Sequence, residues 1–133
     1  MITYRELAAT DLENVKNLYA ENCWTAYLTD DERLSRAWEH SLYTRGAFDG
    51  EALIGFVRCV GDGAHTVLVQ DLLVSEAYRG RGVGKALMQA VFDRFAGVRQ
   101  VFVVTDDGSE AFGFYRACGM KPFADGGLAA LYR

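Results

Sequence analysis

The 133-residue sequence predicts an α/β chain in which strands and helices alternate within one domain, residues 1–133. Three observations carry this expectation. The apolar run 67–74, a glycine-rich turn and an amphipathic run (Leu87, Met88, Val91, Phe92, Phe95) follow one another as strand, turn and helix. Two further apolar runs, 43–48 and 52–60, flank Asp49-Gly50-Glu51, which is a hairpin signal. A content of 50% hydrophobic and 13% aromatic residues is enough for one substantial core and leaves no stretch that reads as a linker.

The remaining elements follow from local pattern. Residues 2–7 alternate like a first strand, and Thr10-Asp11-Leu12-Glu13 reads as a capping box opening a helix with Leu12, Val15, Leu18 and Tyr19 on one face. After a polar-aromatic loop, Asp30 or Asp31 caps a second helix that turns Leu34, Ala37 and Trp38 inward. Gly61-Asp62-Gly63 turns the chain into the run 66–74, and residues 98–105 form a strongly apolar strand. Residues 109–118 form a short helix stopped by Gly119, with Pro122 just beyond. The tail, 128–132, is expected to form a last strand.

A formal charge of −4 argues against general binding to nucleic acid or to a membrane surface, since both require a basic face. Cys23, Cys59 and Cys118 are odd in number, far apart and outside any metal-ligand spacing, so reduced thiols and no metal site are expected. The first residues lack an apolar signal core and no run approaches a membrane span, which sets the expectation of a soluble, cytoplasmic protein.

Local positive charge gathers at Tyr78-Arg79-Gly80-Arg81-Gly82-Val83-Gly84-Lys85. Alternating glycines let backbone N–H groups approach a ligand closely, and the start of a helix adds a site for phosphate oxygens. The dinucleotide fingerprint fails here, because Lys85 or Leu87 stands where its third glycine is needed. The nucleotide-triphosphate loop fails at Arg79 and Ala86. Arg79, Gly82 and Gly84 do fit [RQ]-x-x-G-x-[GA], and on that motif the chain resembles the GNAT superfamily of N-acetyltransferases. The segment 111–120, Ala-Phe-Gly-Phe-Tyr-Arg-Ala-Cys-Gly-Met, is similar to the family's A-x-x-F-Y-x-x-x-G-F, with Met120 for the final aromatic. The order of elements matches as well, so the resemblance covers essentially the whole chain.

The resemblance implies a mixed, mostly antiparallel twisted sheet flanked by about four helices, with acetyl-CoA as co-substrate. Carried over by position, Leu72, Leu73 and Val74 line the pantetheine arm where two strands splay. Arg79, Gly80, Arg81, Gly82, Val83, Gly84 and Lys85 wrap the pyrophosphate. Tyr115 falls where the family has a tyrosine that protonates the departing thiolate; the plain alternative is an aromatic packed beside Phe112 and Phe114. Glu76 and Gly108 depart from the family's usual proline and asparagine, and the second change removes one cofactor contact.

Transfer to nitrogen needs a neutral amine, whereas a free alkylammonium has a pKa of about 10.4, so a base or a desolvating pocket must take the proton. Asp71, the carboxylate embedded in the strand run 69–74, is the first candidate, acting directly or through water. As an alternative it faces solvent or pairs with Arg58. His65, in a turn, is a weaker candidate. Backbone N–H near Leu73 is expected to meet the developing oxyanion. Trp24 and Tyr27, between the first two helices, either form a wall for an aromatic or alkyl ammonium or simply cover the core. The resulting expectation is acetylation of a primary amine on a small molecule in a ternary complex. A weaker similarity to serotonin-type acetyltransferases supports it, and a homodimer is left open. The alternatives are a protein N-terminal or lysine acetyltransferase and a non-catalytic acyl-CoA-binding module.

Overall fold

The computed structural model describes residues 1–133 as two compact units, Met1–Val103 and Val104–Arg133. The first unit runs β1 (Ile2–Glu6), α1 (Leu12–Glu21), α2 (Asp31–Glu39), β2 (Tyr43–Asp49), β3 (Ala52–Gly61), β4 (Thr66–Val74), α3 (Val83–Arg94) and β5 (Gln100–Val103). Its five strands form one sheet in chain order, antiparallel from β1 to β4, with β5 added in parallel. Hairpin turns join β2 to β3 and β3 to β4, β1 leads to β2 through α1 and α2, and α3 is the crossover that a parallel pair requires.

The central strand β3 is buried from Ile54 to Cys59, so both of its faces are covered. On one face Val15, Leu18 and Tyr19 of α1 and Leu34 of α2 pack with Phe56 and Leu73. α3 packs against β2, β3 and β4 and buries Val83, Leu87, Met88 and Val91. Close approach explains Gly55: a Cβ there would lie 3.0 Å from the Leu73 carbonyl oxygen and 3.4 Å from Val83 Cγ1. Asp30 is the residue that caps α2, its Oδ1 accepting from the Arg33 N–H at 3.0 Å.

The start of α1 differs from expectation. A short 3-10 turn, Ala9–Asp11, precedes it, and no side-chain cap comes from Thr10. Asp11 instead accepts the Ala8 N–H at 2.7 Å while its carboxylate holds the Arg5 guanidinium at 2.8 and 3.0 Å. A carboxylate with a cation in reach stays with that partner, so the turn is tied to β1.

Two irregularities in β4 shape its outer end. Arg58 lies opposite Asp71 but Cys59 lies opposite Val69, which leaves Gln70 as the extra residue of a bulge. Pairing with β5 ends at Val69 opposite Val103, although β4 continues to Val74. The sheet therefore opens over residues 70–74.

The second unit contains α4 (Glu110–Ala117), with the Ser109 hydroxyl oxygen accepting the Phe112 N–H at 3.1 Å, and a 3-10 turn, Phe123–Gly126. Gly119 follows α4 at φ +95°, the left-handed conformation that lets the chain leave a helix. The expected last strand is absent. Residues 128–133 carry no regular structure, and Leu131 and Tyr132 are 96% and 98% exposed. An apolar run makes a strand only where a neighbour supplies the ladder of hydrogen bonds, and here none does. No helix in the chain is long and apolar enough to cross a membrane.

Candidate active site

The glycine loop sits between β4 and α3 with its backbone exposed. Gly80 and Gly82 hold φ of +78° and +80°, and no atom lies within 4 Å of where a Cβ would stand on either. The first α3 bond runs from the Ala86 N–H to the Gly82 carbonyl at 3.0 Å. The N–H groups of Val83, Gly84 and Lys85 thus have no acceptor within the helix and mark its positive end. Arg81 and Lys85 are exposed beside them.

Side chains brace this loop from behind. The Tyr78 hydroxyl donates to Asp49 Oδ2 at 2.5 Å, and that bond raises the Tyr78 pKa. Arg81 lies over the Tyr78 ring, 5.1 Å from its centroid. Arg79 donates from Nε to the Val74 carbonyl at 3.2 Å and from its guanidinium to Asn22 Oδ1. Glu21 Oε1 accepts from the Ser75 hydroxyl at 2.9 Å and from the Glu76 N–H at 3.3 Å. Arg79, expected to wrap pyrophosphate with its neighbours, is thus engaged in tying the loop to the end of α1.

Leu72, Leu73 and Val74 lie on the open stretch of β4. The Leu73 side chain belongs to the core cluster with Phe56, while Leu72 and Val74 are half-buried. The Leu73 backbone faces its partner Phe56 on β3, so Leu72 and Val74 are the residues whose backbone groups face the open edge.

Asp71, on the same strand, is 1% exposed. Its Oδ2 accepts from Arg58 Nε at 2.6 Å and from the Tyr19 hydroxyl at 2.7 Å, and its Oδ1 accepts from the Tyr27 hydroxyl at 2.7 Å. Arg58 also donates to the Ser41 hydroxyl oxygen at 3.2 Å. The pairing alternative for Asp71 is the arrangement found, and the carboxylate has three donors between it and any ligand. Burial disfavours the Arg58 charge, but the charge and hydrogen bond of Asp71 outweigh it and raise the Arg58 pKa. Burial, and then the nearby Asp71 charge, push the Tyr19 phenol far above its ordinary value. Tyr27 is also raised, by burial first, against the opposing effect of Gln70 donating to its oxygen at 3.1 Å. Cys59, on the neighbouring strand β3, is pushed up to about 12 by burial, so it remains a neutral thiol.

The aromatic loop lies over this network. Tyr19 and Tyr27 stack at 4.5 Å between centroids, and Trp24 joins them at 6.3 and 6.4 Å. Tyr27 and Tyr19 contribute to the core, whereas Trp24 is 37% exposed and follows Cys23 at φ +62°. His65 is exposed on the β3–β4 turn, its N–H donating to Asp62 Oδ1 at 2.8 Å.

Tyr115 lies in α4 of the second unit, 9% exposed, with its ring 5.2 Å from that of Phe114 in an edge contact. Gly108, where the family often has asparagine, adopts φ +69° in the turn before α4. Tyr19 is legible in the sequence only as a core position of α1. The signal for more is its phenol, since a buried Tyr hydroxyl needs a partner.

Comparison with known proteins assigns this geometry to a family. A model of the acetyltransferase (GNAT) family matches residues 9–120. A GNAT family acetyltransferase of Streptococcus pneumoniae TIGR4 is 33% identical, with 100% of this chain and 97% of that one aligned at a TM-score of 0.86. The chloroplastic serotonin N-acetyltransferase 2 of Oryza sativa subsp. japonica is 33% identical over 107 residues, 74% of this chain and 52% of that protein. This chain thus spans about half the length of that curated relative. The aminoglycoside N-acetyltransferase AAC(6')-Iy, solved in complex with CoA, shares the fold at a TM-score of 0.77 and 22% identity, covering 100% of this chain and 94% of that one. With the family model extending across both units, the chain belongs to the acetyltransferase (GNAT) family.

Proposed function

We propose that the protein transfers the acetyl group of acetyl-CoA to a primary amine of a small molecule, both substrates being held at once. One observation carries this reading: the open edge of β4 over residues 70–74 leads directly into a left-handed glycine turn and the free N–H groups of α3. Unpaired strand groups suit the amides of a pantetheine arm, and the helix start suits a pyrophosphate. Empty space at Gly80 and Gly82 leaves room for such an anion.

Acetyl-CoA supplies the acetyl group as a thioester. In this reading the backbone groups of Leu72 and Val74 orient the arm while Leu73 holds the strand to β3, and the N–H groups from Gly80 to Lys85 take the phosphates with Arg81 and Lys85 alongside. Arg79 keeps the loop in place. Backbone N–H near Leu73 meets negative charge on the carbonyl oxygen. Trp24 and Tyr27 form the wall for the amine, with Tyr27 held in orientation by Asp71. Asp71 acts on the incoming proton through Tyr27, because its own oxygens are covered. Tyr115 returns a proton to the departing thiolate. Burial of an amine against this wall lowers its proton affinity, so the step needs only modest help from a base.

The serotonin N-acetyltransferase and the aminoglycoside enzyme are named for amine acceptors, which is consistent with this class. A panel of arylalkyl, polyamine and aminoglycoside acceptors, with acetyl-CoA and a thiol-release readout, tests the reading. Release with a small amine supports it, and release with peptides alone assigns a protein acetyltransferase instead. Binding of acetyl-CoA without any release assigns a cofactor-binding module.

A further inference from the structure

Asp71 and the aromatic loop stand out in the sequence, but Gln70 lies between them and has no role in the proposed transfer. It is exposed, it is the extra residue of the β4 bulge, and it stands at the first position beyond the last β4–β5 pair. Its Nε2 donates to the Tyr27 hydroxyl oxygen at 3.1 Å.

The direction of each bond in this chain of contacts is fixed from its buried end. A carboxylate facing a guanidinium accepts and does not donate, so the Tyr27 proton points at Asp71 Oδ1. The Tyr27 oxygen is then an acceptor to everything else. Gln70 can bond to it only through its NH₂, and its amide oxygen must face the other way, toward solvent at the open strand edge. One buried ion pair thereby sets the polarity of two side chains in succession. Beside the second Gln70 N–H, the outward face of the pair presents two acceptors, the remaining Tyr27 lone pair and Gln70 Oε1.

We propose that Gln70 is a specificity-determining residue whose outward amide oxygen accepts a hydrogen bond from the N–H of the acceptor amine beside Tyr27. The inference rests on the acetyltransferase reading and adds to it a rule for the substrate: an amine is selected for its N–H donors and not for positive charge alone. Aromatic stacking and cation–π attraction at Trp24 would hold any arylalkyl cation equally well. A site that pairs a substrate N–H favours it over an analogue lacking that donor, which gives up the hydrogen bond to the Gln70 oxygen.

The test uses phenethylamine as substrate and phenethyltrimethylammonium, which has the same ring and charge but no N–H, as competitive inhibitor. In the wild type, the KM for phenethylamine should lie at least tenfold below the inhibition constant of the quaternary ion. Gln70→Leu should raise the amine KM about tenfold, change the KM for acetyl-CoA less than twofold, and bring the two amine constants together. Gln70→Glu, which keeps an acceptor but loses the N–H bond to Tyr27 and adds a charge that attracts both cations, should narrow the preference less than Gln70→Leu. An active wild type whose preference survives Gln70→Leu overturns the role of Gln70 and leaves the acetyltransferase reading intact. A wild type that binds acetyl-CoA by calorimetry but acetylates no amine overturns both.

Discussion

Arg58 donates its Nε–H to Asp71 Oδ2 at 2.6 Å, and the two side chains are 5% and 0% exposed. The pair sits opposite in the β3–β4 register and fixes the tyrosines above it. Removing one partner of such a pair leaves a buried charge without compensation. Arg58→Met is expected to destabilise the protein by about 3–5 kcal/mol, and Arg58→Met with Asp71→Leu by much less than the sum of the single changes. Urea denaturation of the four proteins measures the coupling directly.

The glycine loop gives a second expectation. Gly82 is held at φ +80° with open space around its missing Cβ, so a substitution there is penalised by backbone conformation and not by collision. Gly82→Ala should cost about 1–2 kcal/mol in the loop conformation and weaken acetyl-CoA binding, whereas Gly82→Asn should be tolerated better. Calorimetric titration with acetyl-CoA, paired with a thermal melt, separates the two effects.

For Tyr115, Phe at this position should lower turnover by about 10²-fold, the lower end of general-acid assistance, because a thiol is already a fair leaving group. Acetyl-CoA affinity should change little. Single-turnover kinetics alongside equilibrium binding would show the split, and full-rate transfer would return Tyr115 to a packing role.

Acid stability tests the tie between β1 and α1. The hydrogen bond from Arg5, aided by the Ala8 N–H, lowers the Asp11 pKa against the opposing effect of burial. A depressed carboxylate contributes stability above its unfolded pKa, and the contribution is lost as pH falls through the still lower folded value. Asp11→Asn should cost about 1 kcal/mol near neutral pH, and the difference from wild type should shrink as the pH drops below about 4. Thermal melts across that range give the measurement.

Much of the fold is legible in the residues because local rules suffice for it. Asp49-Gly50 specifies the β2–β3 hairpin, Asp30 and Ser109 cap their helices, and the alternating glycines mark the loop. The tail reads as a strand without being one, because an apolar run is only half of a strand. Thr10 reads as a cap because the competing partner of Asp11, Arg5, lies in another element. In the site, Asp71 can be named from its strand, but its environment depends on residues far away in sequence, Tyr19, Tyr27 and Arg58. The bulge that isolates Gln70 is equally invisible, since it is a property of register between two strands and not of either sequence alone.

The central claim, acetyl transfer to an amine, is tested most directly by mass spectrometry of the acceptor and of CoA after incubation of the protein with acetyl-CoA and phenethylamine or another amine that supports thiol release. Direct transfer predicts one N-acetylated amine for every CoA freed, and loss of both products together in Gly82→Ala at limiting acetyl-CoA. Release of CoA with free acetate and no acetylated amine would contradict it.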